Sequence, residues 1–318
     1  MHKEIEYYLS HLGPLLQKHG IEITEHKDIA YGVQLRLNKE QQSATLNIYY
    51  SDKKGLSQVV GAAKGSSLKN LVEALIKGES PKTGFNTPFH TWNAWMGSDE
   101  CGKGDYFGAP VVCAFAYDKS LDAEFKSLGI MDSKLLKAAE INRIAMHLYR
   151  HHAARISCVA LKPTKYNELI ASFRKEGKNL NHLLAWLHGT AILELCKKQG
   201  TMQGVLVDQF SLHKRVQSYL ATKACPLPCI ERPGAEADPA VAAASIIARY
   251  QFVLAHRELS EFYQIDLPLG ASGRVIETAV EFCKQYGFGR LNEVAKLHFV
   301  TTAKVKLKLE QAELDLFP

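Results

Sequence analysis

The sequence has no apolar stretch approaching the roughly 20 residues that a membrane-spanning helix requires; its longest, Ala109 to Tyr117 and Val241 to Ala248, fall well short. Nor does it open like a signal peptide, because Met1-His2-Lys3-Glu4-Ile5-Glu6-Tyr7-Tyr8 carries acids where a basic head and an apolar middle are needed. Both absences predict a cytoplasmic chain with no membrane partner. Seven cysteines, odd in number and scattered, make no disulfide framework and read as reduced packing thiols. Only Cys225 and Cys229 are close, and without a second pair or histidines at ligand spacing they give no zinc site. Internal repeats and low-complexity tracts are lacking. An excess of one charge is nearly lacking too: 39 basic against 33 acidic residues leave a net charge of +6, a lean toward polyanionic partners that decides nothing alone.

With 46% apolar and 23% charged side chains, the 318 residues are those of an ordinary globular protein. At roughly 100–200 residues per domain, that length predicts about two domains, with monomer as the default state. Residues 1–80 read as a compact unit. Ile5, Leu9, Leu12, Leu15 and Leu16 recur at helical spacing and stop at Lys18-His19-Gly20. Period-two alternation follows at Ile21-Glu22-Ile23, Gly32 to Leu37 and Ala44 to Tyr50, and Ser67 to Ile76 closes the unit as a helix. Residues 81–92 form a linker, since Pro81, Gly84 and Pro88 punctuate a polar stretch. Residues 93–318 then interleave strand-like runs with helices and end in C-terminal helices. The runs are Trp95 to Asp99, Ala109 to Tyr117, Arg155 to Leu161, Gly204 to Asp208 and Cys229 to Arg232. The first three follow as in a meander and the last two are separated by helices, which predicts an α/β fold with a mixed sheet flanked by helices.

Three segments concentrate carboxylates. Met96 to Gly108 packs three acids and four glycines between two apolar strands, which is costly as plain scaffold because buried carboxylates need partners and interior glycines weaken strands. A solvated acidic turn explains that segment equally well taken alone. Asp208 ends the apolar run Gly204-Val205-Leu206-Val207, either to cap the next helix near Ser211 or to reach the rim of a sheet. In Pro233-Gly234-Ala235-Glu236-Ala237-Asp238-Pro239, Asp238 reads as an N-cap with Pro239 in the first turn, which leaves Glu236 without a structural duty. Asp99, Glu100, Asp208 and Glu236 on one rim would repel one another unless divalent cations neutralised them. The constellation therefore predicts oxygen-ligated Mg²⁺ or Mn²⁺. Two ions about 4 Å apart would suit metal-assisted phosphodiester hydrolysis. Adjacent Asp99 and Glu100 point to opposite faces of a regular strand, so a strand end or bulge is expected there.

Gly97-Ser98-Asp99-Glu100-x-Gly102-x-Gly104-Asp105-Tyr106-Phe107-Gly108 resembles the signature of type 2 ribonucleases H in its ribonuclease HIII version. The likeness continues at Met131-Asp132-Ser133-Lys134-Leu135, Lys165 to Leu169, Asn179 to His188, Asp208-Gln209-Phe210, Ala242 to Arg249 and Ala295 to Phe299. It implies a ribonuclease H-like catalytic domain that cuts the RNA strand of RNA–DNA hybrids endonucleolytically, leaving 3′-hydroxyl and 5′-phosphate ends. It also implies catalytic acids at Asp99, Glu100, Asp208 and Glu236, with metal on the first three, although Asp238 competes with Glu236 because the related HII enzymes use Asp near this point. Substrate would be held by the Gly102-Lys103-Gly104 loop, through backbone contact with ribose hydroxyls, and by Lys134 on phosphate, with a salt bridge to Asp132 as the alternative for that lysine. Lys103 stands where the family has threonine.

The same resemblance makes residues 1–80 a small α+β domain like half of the TATA-binding protein, for substrate binding. Lys27, Arg36, Lys39, Lys53, Lys54, Lys64 and Lys69 would draw phosphate backbones there, and Tyr31, Tyr49 and Tyr50 could stack on nucleic acid or simply pack. Leu267-Pro268-Leu269-Gly270-Ala271-Ser272 lacks the tyrosine with which ribonuclease HII senses an RNA–DNA junction. Cleavage within ribonucleotide runs is therefore expected, with poor activity at single embedded ribonucleotides. HII-like excision at single ribonucleotides and a non-catalytic hybrid-binding protein are the alternatives.

Overall fold

The computed structural model describes residues 2–39, 42–51, 55–62, 66–76, 89–211 and 213–314. The chain divides into two compact units, Met1–Asn86 and Thr87–Pro318. Most of the proposed linker, residues 81–88, lies outside the described residues, as do Lys53, Lys54 and Lys64.

In the N-terminal unit, helix α1 (Lys3–Lys18) is followed by strands β1 (Glu22–Ile29), β2 (Gly32–Lys39), β3 (Gln42–Ser51) and β4 (Gly55–Gly61), then helix α2 (Ser67–Ile76). The strands pair antiparallel in chain order. Alternation in β2 and β3 sends Val33, Leu35, Leu37, Ala44, Leu46 and Ile48 into one core with Ile5, Leu12 and Leu16 of α1 and Leu68, Val72 and Leu75 of α2. Strand β4 is an addition to the three strands expected. Its Gly55-Leu56-Ser57-Gln58 start has too little apolar alternation to announce a strand, and pairing with β3 recruits it. Of the basic residues expected to face phosphate, Arg36 pairs with Glu25 at 3.4 Å, Lys69 with Glu73 at 3.7 Å, and Lys39 donates to the His19 carbonyl at 3.0 Å. Tyr31 stands 87% exposed at the β1–β2 turn, whereas Tyr50 stacks on His2.

The second unit is built on β5 (Ala94–Cys101), β6 (Val111–Asp118), β7 (Ile156–Ala160), β8 (Val205–Asp208) and β9 (Cys229–Arg232), in sheet order β7-β6-β5-β8-β9. Strands β5, β6 and β7 pair antiparallel, and β8 and β9 join parallel, so the sheet is mixed. The meander is interrupted. Helices α3 (Asp122–Leu128) and α4 (Ala138–His152) lie between β6 and β7. One sheet face carries α8 (Pro239–Tyr263) with α4 packed beyond it; the other carries α6 (Leu180–Lys198), flanked by α5 (Pro163–Lys175) and α7 (Arg215–Thr222). Helices α9 (Gly273–Tyr286) and α10 (Val300–Leu314) enclose a further core around Tyr106, Phe107, Phe282 and Leu291.

The α8 run Ala240-Val241-Ala242-Ala243-Ala244-Ser245 is buried, and its first turn sits so close to β5 that a Cβ on Gly97 would come within 2.2 Å of the Ala240 carbonyl carbon. Only glycine fits there. The scatter of the cysteines predicts reduced thiols throughout, and the structure departs from that at one pair. Cys113 and Cys158, brought directly opposite each other by the β6–β7 register, are joined as a disulfide, while the other five are free.

Candidate active site

Of the strand end or bulge expected at Asp99 and Glu100, the structure has the strand end: β5 stays in regular register with β6 through Cys101, its last residue, with no bulge. What frees its end is the other neighbour, since the β5–β8 ladder stops at Ser98 opposite Val207. Asp99 and Glu100 therefore lie just past the end of the β5–β8 ladder and, by strand alternation, on opposite sides of the sheet. Asp99 turns to the α8 side, where Ser245 hydrogen-bonds it. Glu100 turns to the α6 side, where His188 Nε2 lies 3.1 Å from its Oε2.

Asp208 is the last residue of β8, and its Oδ1 accepts from the Ala235 amide at 3.1 Å. It does not cap α7, whose N-cap is Lys214. Ala235 begins the short 3₁₀ turn Ala235–Ala237, which brings the Glu236 carboxyl against that of Asp208. Glu236 Oε1 is 3.8 Å from Lys134 Nζ, and its Oε2 is buried with no hydrogen-bond donor on it. Asp238 is otherwise engaged. Its Oδ1 caps α8 at the Ala240 and Val241 amides and accepts from Trp95 Nε1 at 3.0 Å, and its Oδ2 faces His90 at 3.5 Å.

Lys134 lies in the 3₁₀ turn Ser133–Leu135, where Asp132 takes the lysine's backbone amide while the ammonium goes to Glu236. That turn is tied to α8 twice, by Ser133 Oγ on Ser245 Oγ at 2.8 Å and by Arg249 donating to the Ser133 carbonyl at 2.9 Å. In the glycine loop, Gly102 has φ +87 and lies against the Phe252 ring, so its conformation and packing both require glycine. Gly104 has open space where a Cβ would stand, and Lys103 Nζ lies 3.8 Å from Glu100 Oε1.

The electrostatics follow from this crowding. Burial, then the charge of Glu100, pushes Asp99 up to about 7. Burial, then the neighbouring Glu236, pushes Asp208 up to about 7 as well, with Asp99 contributing. Burial alone would raise Glu100 also, but the His188 hydrogen bond, then the charges of His188, Lys103 and Lys134, hold it below the usual carboxylate range. Burial would lower Lys134, yet Asp132, Glu236, Asp99 and Asp208 together keep it above the ordinary lysine value.

Two aspartates pushed toward neutrality by burial and like charge, and a buried Glu236 oxygen without a hydrogen-bond partner, are the signs of an all-oxygen donor set that lacks counter-charge, which fits hard divalent cations. Among the described residues the four carboxylates do not include three ligand atoms within 4.8 Å of one another. Asp208 and Glu236 meet as a pair, with Lys134 beside Glu236.

Sequence reasoning missed three supporting residues. His188 is fully buried in apolar α6, its Nδ1 is 2.8 Å from Ser98 Oγ, and its ring stacks on Phe210. A histidine amid Leu183, Leu184, Leu187, Ala191 and Ile192 was the available signal, because a buried imidazole needs partners at both nitrogens. Ser245, alone among alanines, carried the same signal. Arg249 carried none.

Residues 96–302 match the family model described as Ribonuclease HII. The chain is 38% identical over 206 residues to a ribonuclease HIII of Protochlamydia amoebophila, covering 65% of this chain and 66% of that relative. With a ribonuclease HIII of Chlamydia trachomatis it shares 39% over 214 residues, covering 66% and 69%. The matched stretch thus spans about two thirds of the relatives. A crystal structure of Bst-RNase HIII in complex with Mn²⁺ superposes with TM-score 0.61 at 26% identity, covering 95% of this chain and 97% of that one.

Two outcomes are expected from this geometry. Because Asp99 and Asp208 keep protons to about 7 while the unfolded chain releases them near 4, metal-free stability falls as pH rises between those values. Mn²⁺ affinity moves the opposite way, rising through the same window as cation displaces proton. Thermal melts in chelator and Mn²⁺ titrations at stepped pH check both; a flat profile in each contradicts the crowding. His188→Ala should weaken Mn²⁺ binding by about 10–100-fold, the cost of losing an outer-shell partner, whereas His188→Gln, which keeps a donor for Glu100, should lose less.

Proposed function

The chain belongs to the ribonuclease HII family, and on that premise we propose that it is a ribonuclease H of the HIII kind, an endonuclease that hydrolyses the RNA strand of RNA–DNA hybrids to 3′-hydroxyl and 5′-phosphate ends. The observation that carries the reading is geometric: buried Asp99 at the end of the β5–β8 ladder, Asp208 as the last residue of β8, and Glu236 with Lys134 at the same edge. Asp99, Glu100 and Asp208 would hold Mg²⁺ or Mn²⁺, two ions during the reaction, with Glu236 as the fourth acid. Those ions supply a Lewis-acidic clamp for the attacking water and the leaving oxygen of the phosphodiester.

The remaining work belongs to the protein. Asp99 is oriented by Ser245, and Glu100 by His188, which is braced in turn by Ser98. Lys134 is held by the Ser133 turn at the same rim and carries the positive charge for the hybrid's phosphate. The Gly102-Lys103-Gly104 backbone meets the ribose 2′-hydroxyls, a feature only RNA offers, and nothing crowds the backbone at Gly104. The N-terminal unit would hold the duplex, with exposed Tyr31 available to stack. A monomer in the cytoplasm suits these roles. Mn²⁺ in the Bst-RNase HIII neighbour supports the cation class.

Residues 267–272 also bear on substrate choice. The Gly270 amide donates to Asp105 Oδ1 at 2.6 Å and the Gly270 carbonyl accepts from the Tyr106 amide at 2.8 Å, so this stretch is pinned beside the glycine loop. It presents no tyrosine there.

Asp99→Asn should abolish cleavage of a labelled RNA–DNA hybrid in both Mg²⁺ and Mn²⁺ while binding of the same hybrid survives. Cleavage by that variant would refute the role of Asp99, and wild-type protein that shifts the hybrid without cutting it would make the chain a binder. A duplex with one embedded ribonucleotide should be cut far more slowly than a continuous hybrid. Equal rates would favour HII-like excision.

A further inference from the structure

Away from the carboxylate rim, three side chains meet between α3 and α4. Glu124 of α3 presents Oε1 to His147 Nε2 at 2.7 Å and to His152 Nε2 at 2.9 Å, both on the last turns of α4. Their ligand atoms form the one group of three His, Cys, Asp or Glu atoms within 4.8 Å of one another among the described residues. All three are partly buried, so the oxygen and the two nitrogens are held in place while one side stays open to solvent. His151, four residues after His147, packs its ring on that of His147 at 4.4 Å and stiffens its orientation.

We propose that Glu124, His147 and His152 form a binding site for a transition-metal ion of the zinc class, separate from the carboxylate rim. Two imidazole nitrogens and one carboxylate oxygen are the donor set that favours zinc, cobalt or nickel, whereas the all-oxygen rim favours magnesium or manganese. The chain thus sorts two classes of cation to two places by donor chemistry. Ligand atoms around tetrahedral zinc, with bonds of about 2.0–2.1 Å, lie about 3.3 Å apart. The two nitrogen–oxygen separations, 2.7 and 2.9 Å, need only a small widening, and the two nitrogens lie within 4.8 Å of each other. Three protein ligands leave a fourth position for water.

The placement gives the ion a task. Glu124 and His147 bracket the segment that runs through Met131-Asp132-Ser133-Lys134-Leu135, so an ion bound to both closes the base of the loop that presents Lys134 to Glu236. Closing a loop of that kind restricts the unfolded chain and steadies the lysine.

The test uses the full chain saturated with Mg²⁺, dialysed against micromolar Zn²⁺ and then analysed for metal content, with Co²⁺ as a spectroscopic probe of nitrogen ligation. One zinc per chain is expected in the wild type and in Asp99→Asn. His147→Gln and His152→Gln keep a hydrogen-bond donor to Glu124, so they should melt like the wild type without zinc. Each should bind zinc more weakly by more than the ~10–100-fold that an outer-shell partner costs and lose the zinc-induced rise in melting temperature; Glu124→Gln gives a third, independent variant. No zinc in the wild type, unchanged zinc in these variants, or zinc lost in Asp99→Asn would each overturn the proposal. None of these readouts depends on hybrid cleavage.

Discussion

Negative charge crowded onto one sheet rim, in a place largely removed from water, is the constraint on which the rest of this catalytic unit depends. Two like charges 4 Å apart cost about 4 kcal/mol even at an effective dielectric of 20, a large fraction of the stability of an ordinary domain. The structure meets that cost with different means at each acid. Asp99 and Asp208 have their pKa pushed up toward neutrality, Glu100 takes a hydrogen bond from a buried histidine, and Glu236 takes an ammonium. Divalent cations would satisfy at once what these devices satisfy separately, so the same crowding that strains the fold creates affinity for hard metal ions.

Support for the rim comes from the two helices that sandwich β5. Helix α8 approaches closely because Gly97 has no side chain and the helix turns alanines to the sheet. Having come so near, it delivers Ser245 to Asp99 and, through Ser245 and Arg249, fixes the turn that carries Lys134. On the opposite face α6 delivers His188, which bridges Ser98 and Glu100 two residues apart on one side of the strand. Core packing and site assembly are therefore not separable in this unit, since the same buried surfaces perform both.

Much of this was legible in residues alone. Alternation announced β2 and β3, apolar runs announced the strands of the mixed sheet, and a proline after an acid marked the start of α8. The acids stood out as polar residues at the ends of apolar runs. Other features required the third dimension. Strand β4 has weak alternation and exists because β3 offers it a ladder. The Cys113–Cys158 pairing depends on the β6–β7 register, which spacing along the chain does not reveal. His147 and His152 lie on one helix, but the carboxylate they share sits on another.

The adjacency of Asp99 and Glu100 shows how a strand end can do what a bulge would otherwise have to do. In the interior of a sheet, neighbouring residues on a strand are divided by the sheet itself, and a bulge would be needed to bring their side chains together. Here the ladder to β8 ends one residue before Asp99, so the division ends there too, although β5 and β6 stay paired beyond it. Each carboxylate can then be oriented by its own helix, α8 above and α6 below, while both reach the same rim. Regular alternation becomes useful in this arrangement: two neighbouring acids on the same face would compete for one set of partners, whereas acids on opposite faces draw on Ser245 and His188 independently. The short length of β8 thus decides the geometry of the site as much as any acid in it, and it also explains why Asp208, the final residue of that short strand, arrives at the same edge.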